Sequence, residues 1–426
     1  MRAKLYKSSL NGVMQVPPSK SMAHRLLICA ALAQGTSQVD NLQPSQDILV
    51  TQQILRNLGA EVTVTDGRAV VRGGVFPPTQ PKEPLFCGES GSTLRFIIPL
   101  ASFCSQPVRL TGAPRLFARP LKPYADIFAG QNKQFMPDET GLTLQGPLQA
   151  GVFELPGNVS SQFISGLLFV LPLLPQSSSI RLTPPVESRS YIELTRQAQA
   201  LFGVQSNWKT ENELHIPGGQ QYTAANTRVE GDWSQAVVPA VLGAVCGNVA
   251  VQGLLQNSAQ GDRILQDIMR RSGAQVLWQK DVCTTSHLPT GPLMAKQIDL
   301  ADCPDLAPVL SVFAIFCKGT TRFVNAERLR IKESDRIAAM QQELQKMGVT
   351  VRSGEDWYEV EGTPRLQDNA LVEGRNDHRI VMALAVAALC GGVQLTIKGA
   401  EAVRKSWPTF FEDITALGAK VKLYEE

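Results

Sequence analysis

Histidine and aromatic side chains are scarce in this chain of 426 residues, which has four histidines and 6% phenylalanine, tryptophan and tyrosine together. So few histidines give little support to a dedicated metal site. Few aromatic rings argue against a surface on which nucleic-acid bases stack. The net charge is only +3, so any affinity for anions must come from where the charges are placed.

Paired cysteines are also missing. The sequence has no C-x-x-C, and its eight cysteines lie far apart, at positions 29, 87, 104, 246, 283, 303, 317 and 390. Several of them lie inside apolar runs. We therefore expect small buried core residues in a reducing cytoplasm, rather than disulfides or zinc ligands.

No hydrophobic run is long enough to cross a bilayer. The most apolar stretch, residues 163–174, is interrupted by Gly166 and Pro172, whereas a spanning helix needs about 20 apolar residues. The N-terminal residues lack the apolar core of a signal peptide. These features predict a cytoplasmic protein with no membrane partner.

The sequence does contain a repeat. Polar helix starts recur at a spacing of roughly 70 residues, and their markers are Ser21, Ser92, Ser161, Ser234, Asp305 and His378. A second series with the same spacing consists of glycines that suit helix C-caps, namely Gly59, Gly130, Gly203, Gly273, Gly348 and Gly418. Two independent series with one period predict six repeats.

Each repeat has the pattern βαβαββ. Its first helix is apolar all round over about 14 residues, which is typical of a buried helix, and its second helix is amphipathic. We therefore predict an α/β fold of two domains, each built of three βαβαββ repeats, with buried parallel helices and the sheets outside. The boundary between the two sets of three repeats is expected near Glu230 and Gly231.

Parallel buried helices would bring their N-termini together at one end of each domain. Each N-terminus carries roughly half a positive charge, so the converging helix starts predict an anion-binding surface. Cations lie at the same places, since Lys20 and Arg25 follow Ser19, a predicted N-cap. Two such surfaces facing each other would form a cleft for anions. Taken alone, Asp305 would be an ordinary N-cap and His378 a structural histidine.

Four motifs together resemble one family. They are Pro18-Ser19-Lys20-Ser21 with Arg25, Asn158-Val159-Ser160-Ser161-Gln162, Ile331-Lys332-Glu333-Ser334-Asp335-Arg336 and Asn376-Asp377-His378-Arg379. In this order, along the whole chain, they resemble the 5-enolpyruvylshikimate-3-phosphate synthases. The resemblance implies transfer of the enolpyruvyl group of phosphoenolpyruvate to the 5-hydroxyl of shikimate 3-phosphate. Phosphate is released, and the reaction belongs to the shikimate pathway of aromatic amino acid biosynthesis.

The resemblance also implies roles for individual residues. Asp305 and Glu333 would transfer protons, assisted by Lys20 and Lys332. Shikimate 3-phosphate would be bound by Lys20, Ser21, Arg25, Ser160, Ser161, Gln162, Ser188, Tyr191, Asp305 and Lys332. Phosphoenolpyruvate would be bound by Lys20, Gly91, Arg119, Gln162, Arg336, Arg379 and Lys405. Neither a metal nor an organic cofactor is required, and a monomer that binds no nucleic acid is expected.

In domain terms, the resemblance implies one discontinuous domain of residues 1–18 and 231–426 and a second domain of residues 19–230. The hinges would lie near 18–19 and 230–231, and the domains would close over the substrates. The sequence departs from the family at Glu89 and Arg328, where many members have asparagine, and at Phe96, where many have proline.

Two other functions stay open. A related enolpyruvyl transferase that acts on UDP-N-acetylglucosamine has a Lys-Asn pair near its N-terminus and a reactive cysteine in its second repeat. Here the pair is Lys20-Ser21, and the loop candidates are Cys87 and Cys104. A more distant alternative, a nucleic-acid-binding repeat scaffold, would need basic residues spread along an outer surface.

Overall fold

The structure, a computed structural model, describes residues 1–288, 291–363 and 365–425, and the chain divides into two compact units. Unit A consists of Met1–Pro17 and Gly231–Glu426, and unit B of Pro18–Glu230. The chain therefore passes between the units twice. Within unit B, the amide of Ser19 donates to the carbonyl of Glu230 (2.7 Å). Within unit A, the amide of Asp232 donates to the carbonyl of Pro17 (2.9 Å).

The first strands of the chain belong to unit A, and unit B follows. The N-terminal strands are β1 (Arg2–Tyr6) and β2 (Gly12–Gln15). Unit B contains α1 (Lys20–Leu32), β3 (Thr36–Asp40), α2 (Gln46–Asn57), β4 (Glu61–Thr65), β5 (Arg68–Arg72), β6 (Leu85–Phe86), α3 (Gly91–Ala101), β7 (Val108–Thr111), α4 (Pro114–Phe117), α5 (Lys122–Gly130), β8 (Gln134–Asp138), β9 (Gly141–Gln145), β10 (Val152–Pro156), α6 (Ser161–Val170), β11 (Ser178–Thr183), α7 (Arg189–Leu201), β12 (Asn207–Trp208), β13 (Glu213–Ile216) and β14 (Asn226–Arg228).

The remainder of unit A follows the same plan. Its elements are α8 (Val237–Cys246), β15 (Val249–Gln252), α9 (Leu265–Arg271), β16 (Ala274–Gln279), β17 (Val282–His287), β18 (Gln297–Asp299), α10 (Ala307–Ile315), β19 (Thr320–Val324), α11 (Arg336–Gln345), β20 (Val351–Ser353), β21 (Trp357–Glu361), β22 (Ala370–Glu373), α12 (His378–Gly391), β23 (Leu395–Lys398), α13 (Phe410–Ala416) and β24 (Lys420–Tyr424). Short 3₁₀ turns include Pro304–Leu306, Glu327–Ile331 and Ala400–Lys405.

Six four-stranded sheets share one strand arrangement. In the third repeat, β10 pairs in parallel with β11, and β13 pairs antiparallel with both β11 and β12. A parallel pair needs a crossover connection, and in this repeat α6 supplies it. The predicted α/β fold of βαβαββ repeats, three in each unit, is confirmed.

Three sheets are completed by strands that lie far away in sequence. Strand β14, at the end of unit B, pairs in parallel with β3 of the first repeat. Strand β2 pairs in parallel with β15, and β1 pairs antiparallel with β23 and β24. The N-terminal segment therefore completes two sheets of unit A. A repeat spacing read from the sequence does not reveal which strand closes which sheet.

The first helix of each repeat is buried, as predicted. Every residue of α10 is buried, and α8, α10 and α12 pack against one another within unit A. Most of these helices are shorter than expected, since α10 has 9 residues and α6 has 10, whereas α12 has 14. The apolar run after α6 continues as a 3₁₀ turn, Leu171–Leu173. The run is apolar because it is buried, and a buried 3₁₀ turn requires apolar residues as much as a longer helix would.

The predicted C-cap glycines are correct in five of six repeats. Positive φ angles occur at Gly59, Gly203, Gly273, Gly348 and Gly418, a conformation that glycine adopts without steric cost. The prediction is wrong for Gly130, which is the last residue of α5. The left-handed position falls two residues later, at Asn132 (φ 55°), and asparagine tolerates this conformation better than most residues.

The cysteine prediction is correct for six residues and wrong for two. All eight cysteines are free; Cys246 is exposed and Cys390 is half-buried. These two lie at the C-terminal ends of α8 and α12, where the helices leave the core. Among the described residues, no helix combines the length and the apolar character that crossing a membrane requires.

Candidate functional site

The start of α1 carries the first predicted site residues. Ser19 is its N-cap, as predicted, because its Oγ accepts from the amide of Met22 (3.4 Å). Lys20 Nζ lies 2.8 Å from Asp47 Oδ2, near the start of α2, and the two side chains are only 18% and 11% exposed. This ion pair holds the ammonium group of Lys20 at the helix start.

Arg25, one turn further along α1, has an enclosed guanidinium group. Its Nε donates to Thr195 Oγ1 (2.8 Å), its Nη1 to the carbonyl of Ser21 (2.7 Å) and its Nη2 to the carbonyl of Tyr191 (3.1 Å). A longer contact joins Nη2 to Ser165 Oγ (3.4 Å). Burial lowers the pKa of Arg25 to about 10, so the group is still a cation at neutral pH.

Two arginines meet at the start of α3. A methyl group on Gly91 would lie 2.7 Å from Arg119 Nη1 and 3.2 Å from Arg95 Nη1. Arg95 Nη1 donates to Gln162 Oε1 (2.7 Å), and Gln162 Nε2 donates to Ser92 Oγ (2.9 Å). Burial first, and then repulsion from Arg119, lower the pKa of Arg95 to about 9. An anion bound between the two guanidinium groups would relieve that repulsion.

Arg95 belongs to this cluster, although the sequence interpretation did not include it. The signal was present, because Arg95 follows Ser92, a marker of the helix start, by one helical turn. The sequence interpretation gave Arg95 no role, and its neighbours Arg119 and Gln162 are distant in sequence. Only their proximity in the fold shows that Arg95 belongs to the cluster.

The third repeat adds hydroxyl groups. Ser160 caps α6 by accepting from the amide of Gln162 (3.3 Å), and Ser161 is the buried first residue of this helix. Ser188 precedes α7 in a left-handed conformation, with φ 54°. Such strain at a residue other than glycine is concentrated at functional sites. Tyr191, in the first turn of α7, accepts from Arg25 through its carbonyl.

In unit A, Asp305 is the centre of a cluster of cations. Its Oδ1 accepts from Arg336 Nη1 (2.8 Å) and lies 3.7 Å from Lys332 Nζ, and its Oδ2 accepts from Arg379 Nη2 (3.2 Å). Burial by itself raises the pKa of Asp305, but Arg379, Lys332 and Arg336 outweigh it and hold the pKa well below its usual range. The expectation that Asp305 is an ordinary N-cap is wrong, since the start of α10 has no side-chain cap.

Asp377 is a second carboxylate of this cluster, and the sequence interpretation gave it no role. It is fully buried and caps α12, accepting from the amide of Arg379 (2.9 Å). It also accepts from Arg336 Nε (2.9 Å) and Ser334 Oγ (3.0 Å). Burial opposes its ionisation, but Arg336 more than compensates, so the pKa of Asp377 is lowered. Asp377 thus positions Arg336 next to Asp305.

Glu333 lies between a histidine and a lysine. His378 Nδ1 is 3.0 Å from Glu333 Oε2, and Lys405 Nζ is 4.0 Å from the same oxygen. Lys405 also donates to the carbonyl of Asn376. His378 is almost completely buried, with 1% of its side chain exposed. A buried histidine in contact with Glu333 orients that carboxylate, which fits the structural role expected for His378.

Three possible metal ligands occur in this cluster, on Glu333, Asp377 and His378, within 4.8 Å of one another. Arg336 is paired with Asp377, and Lys405 lies beside Glu333. A metal ion would have to displace these cations from the two carboxylates. The arrangement is therefore better described as an ion-pair network than as a metal centre.

The predicted convergence of helix starts is present within each unit. In unit A, Arg379 donates to Ser234 Oγ (2.8 Å), before α8, and to the carbonyl of Asp305 (2.9 Å), before α10. In unit B, Gln162 joins the start of α6 to that of α3, and Arg25 joins α1 to α6. The cations and hydroxyl groups of each unit therefore lie where three helix N-termini meet, which favours anions.

The three departures from the family pattern lie in different surroundings. Phe96 is buried beneath Arg25, whose guanidinium carbon is 5.0 Å from the ring centroid, a cation–π contact. Arg328 Nη2 donates to the carbonyl of Ala301. Glu89 is half-buried in the turn before α3. Phe96 therefore supports Arg25 from the core side.

Comparison with known proteins decides the family. Residues 6–414 match the family model for EPSP synthase (3-phosphoshikimate 1-carboxyvinyltransferase). The chain belongs to the EPSP synthase family. The 3-phosphoshikimate 1-carboxyvinyltransferase of Clostridium perfringens is 39% identical over 418 residues, which covers 97% of this chain and 98% of that protein. The enzyme of the same name from Clostridium beijerinckii is 40% identical over 423 residues, with 97% of each chain covered.

Solved structures agree on the fold. EPSP synthase from Acinetobacter baumannii superposes with a TM-score of 0.79 at 22% identity, over 100% of both chains. The enolpyruvyl transferase NikO from Streptomyces tendae gives 0.78 at 15% identity, over 99% of this chain and 98% of its own. The resemblance to the EPSP synthase family is thus confirmed. The residues that the resemblance implies for the site are divided between the units. Unit B contains Lys20, Ser21, Arg25, Gly91, Arg119, Ser160, Ser161, Gln162, Ser188 and Tyr191, and unit A contains Asp305, Lys332, Glu333, Arg336, Arg379 and Lys405.

Proposed function

We propose that the protein transfers the enolpyruvyl group of phosphoenolpyruvate to the 5-hydroxyl of shikimate 3-phosphate and releases phosphate. The reaction is that of a 3-phosphoshikimate 1-carboxyvinyltransferase in aromatic amino acid biosynthesis. One observation carries the proposal. Within each unit of this EPSP synthase family member, the cations implied by the family motifs lie at helix starts that meet.

In unit B, the hydroxyl groups and cations divide between the two substrates. Ser160, Ser161, Gln162, Ser188 and Tyr191 bind shikimate 3-phosphate together with Lys20, Ser21 and Arg25. Gly91 leaves room for Arg119 to reach phosphoenolpyruvate, because a methyl group there would crowd its Nη1 at 2.7 Å. Gln162 and Lys20 contact both substrates. Arg95 adds a cation beside Arg119 that the family motifs did not assign.

In unit A, Asp305 and Lys332 bind shikimate 3-phosphate, and Arg336, Arg379 and Lys405 bind phosphoenolpyruvate. The depressed pKa of Asp305 keeps it an ionised acceptor for the 5-hydroxyl. Glu333 lies beside Lys405 and His378, so it has groups that can compensate its negative charge after it has given up a proton. Lys20 and Lys332 assist the proton transfers of Asp305 and Glu333.

The reaction is an addition followed by an elimination. In the addition, the 5-hydroxyl oxygen bonds to carbon 2 of phosphoenolpyruvate, its proton leaves, and carbon 3 gains a proton. In the elimination, carbon 3 loses a proton and the carbon–oxygen bond to phosphate breaks. Proton transfer by side chains raises the reaction rate about 10²–10⁴-fold. Each preorganised donor to developing charge raises it about 10²–10³-fold. The many cations therefore outweigh any one proton carrier.

We further propose that the residues of both units act on the same pair of substrates. The discontinuous domain of residues 1–18 and 231–426 then closes on residues 19–230, with hinges near 18–19 and 230–231. The paired backbone segments at Ser19–Glu230 and at Asp232–Pro17 are the natural place for such hinges. The enzyme acts as a cytoplasmic monomer without a cofactor, and it needs neither nucleic acid nor a membrane.

Phosphate release tests the proposal directly. Purified protein is mixed with phosphoenolpyruvate and shikimate 3-phosphate, and each substrate is omitted in turn. Phosphate should appear only when both are present, and an Arg119→Ala variant should release none. Phosphate release from phosphoenolpyruvate alone, or none from the complete mixture, would contradict the proposal.

UDP-N-acetylglucosamine in place of shikimate 3-phosphate tests the main alternative. Cys87 is fully buried, and burial raises its pKa. Burial also raises the pKa of Cys104 to about 11. Neither thiol suits the reactive cysteine of that transferase, so no phosphate should be released with this acceptor.

A further inference from the structure

Two cysteines that the proposed reaction does not use lie in contact. Cys246 is the last residue of α8, and Cys390 is the next-to-last residue of α12. Their Sγ atoms are 3.7 Å apart, although the residues are 144 positions apart in the sequence. The two helices pack against each other within unit A. The thiol pair is thus a product of the fold and not of a sequence motif.

The pair is both accessible and able to move. Cys246 is exposed and Cys390 is half-buried, so a small reagent can reach the first sulfur. Gly247 caps α8 with φ 73°, and Gly392 caps α12 with φ 60°. A disulfide bond is about 2.05 Å long, so the sulfur atoms must approach each other further. Rotation of the two side chains, next to glycine caps at helix ends, supplies that movement.

The electrostatic surroundings distinguish the two thiols. The hydrogen-bonding contact between the two sulfur atoms lowers the pKa of Cys246 despite partial burial. Burial raises the pKa of Cys390. The carbonyl ends of both helices act against an anion here, whereas the contact with Cys390 acts in favour of a Cys246 thiolate. Because Cys246 is also the more exposed of the two residues, it is the nucleophile that attacks first, and Cys390 attacks second.

We propose that Cys246 and Cys390 form a reversible disulfide in unit A when the protein reacts with hydrogen peroxide. The Cys246 thiolate attacks a peroxide oxygen, the O–O bond breaks, and Cys246 becomes a sulfenic acid. The Cys390 sulfur then attacks the Cys246 sulfur, the S–O bond breaks, and the S–S bond forms. The two thiols lose two electrons and two protons, and the peroxide is reduced to two molecules of water.

The cross-link would stabilise unit A without touching the candidate site. Arg379 and Cys390 lie on the same helix, separated by roughly 16 Å along its axis. At the opposite end of this helix pair, Arg379 contacts Ser234. A bond between residues 144 positions apart removes much of the chain freedom of the unfolded state. The modification is therefore a protection against unfolding under oxidising conditions.

Peroxide treatment of the purified full-length protein tests the inference. After alkylation of the remaining thiols, intact mass should show two fewer alkylated cysteines, and a digest should yield a peptide pair that joins Cys246 to Cys390. The melting temperature should rise by roughly 5 °C or more. Dithiothreitol should reverse both changes.

Three serine variants complete the experiment. Cys246→Ser and Cys390→Ser should each abolish the mass change and the rise in melting temperature. Cys104→Ser, which removes a buried thiol of unit B, should leave both unchanged. Two results would overturn the proposal. One is oxidation of Cys246 to a sulfinic acid while Cys390 remains a thiol that can be alkylated, and the other is a disulfide between two copies of the chain.

Discussion

Single residues show how this protein holds several like charges together. Asp305 is in contact with Arg336, Lys332 and Arg379, and Asp377 holds Arg336 from the other side. In unit B, Asp47 holds Lys20, whereas Arg95 and Arg119 lie close together, and burial and then the charge of Arg119 lower the pKa of Arg95. The carboxylates of unit A thus neutralise Arg336 and Arg379, and an anion bound beside the arginine pair of unit B would reduce the repulsion within that pair.

The pKa of Asp305 gives a prediction about acid stability. Its folded pKa is depressed, so its contribution to the free energy of unfolding is present above its unfolded pKa of about 3.9. That contribution is lost as the pH falls through the lower folded pKa. Asp305→Asn should therefore cost about 3 kcal/mol, because breaking a buried pair leaves the cations uncompensated.

Urea unfolding of the wild type and of Asp305→Asn across a pH series measures this difference. It should be constant between about pH 7 and 5 and should shrink only in the acid range, near and below the unfolded pKa of about 3.9. A difference that does not shrink as the pH falls below about 3.9 would mean that the Asp305 pKa is not depressed.

Arg95 gives a prediction about substrate affinity, resting on the proposed function. Arg95→Ala removes a cation beside Arg119, and a hydrogen bond to a charged group is worth about 1.5–3 kcal/mol. The KM for phosphoenolpyruvate should therefore rise about 10- to 100-fold, whereas the KM for shikimate 3-phosphate should change little. Steady-state kinetics measure both constants.

Arg115→Ala is the matched control, because Arg115 is an exposed arginine of the neighbouring helix α4. It should leave both constants unchanged. An Arg95→Ala enzyme with wild-type KM values would exclude Arg95 from the site.

At the scale of elements, the segment before α12 depends on a buried charge of α11. Glu343 is fully buried; its Oε1 accepts from Arg375 Nε (2.9 Å) and Nη2 (2.6 Å), and its Oε2 accepts from the amide of Glu373 (2.9 Å). Arg375 and Asn376 both have positive φ angles, 52° and 51°. Glu343 thus holds a strained segment that leads directly to Asp377.

Glu343→Gln should loosen this segment and displace the residues that follow it. A displacement of about 1 Å at a catalytic site can cost 10²-fold in rate, so we expect kcat to fall at least about 10-fold together with a lower melting temperature. Kinetics and thermal unfolding measure the two effects.

Lys346→Met is the control, since Lys346 is a second cation paired with Glu343 and its side chain is 42% exposed. It should leave kcat near the wild-type value. If Glu343→Gln lowers the melting temperature but leaves kcat unchanged, the glutamate is important for stability alone.

At the scale of the whole molecule, the chain passes between two compact units twice, near residues 17–18 and 230–231. The proposed site residues are divided between the units. If both sets bind one pair of substrates, substrate binding and domain closure are a single event.

Small-angle X-ray scattering tests closure. The radius of gyration should decrease when shikimate 3-phosphate and phosphoenolpyruvate are both present, and the decrease should be smaller with phosphoenolpyruvate alone. An unchanged radius under conditions in which phosphate release shows turnover would argue against closure.

The sequence alone determined the repeat, the helix starts and the family, because these depend on local signals. Periodic polar starts, apolar helices and glycine caps act within one or two turns of the chain, and they predicted the βαβαββ repeats and the cap at Ser19 correctly. Gly130 was predicted wrongly because α5 runs slightly further before its left-handed residue.

The tertiary structure decided which distant groups meet. Arg25 contacts Thr195, 170 residues away, and Arg95 contacts Gln162, 67 residues away. Residues far apart in the sequence also meet where β14 closes the first sheet and where Cys246 contacts Cys390. Local patterns specify each helix and its caps, but contacts between helices depend on how buried faces pack. For that reason the helix starts were predictable, whereas Arg95, Asp377 and the thiol pair were found only in the folded chain.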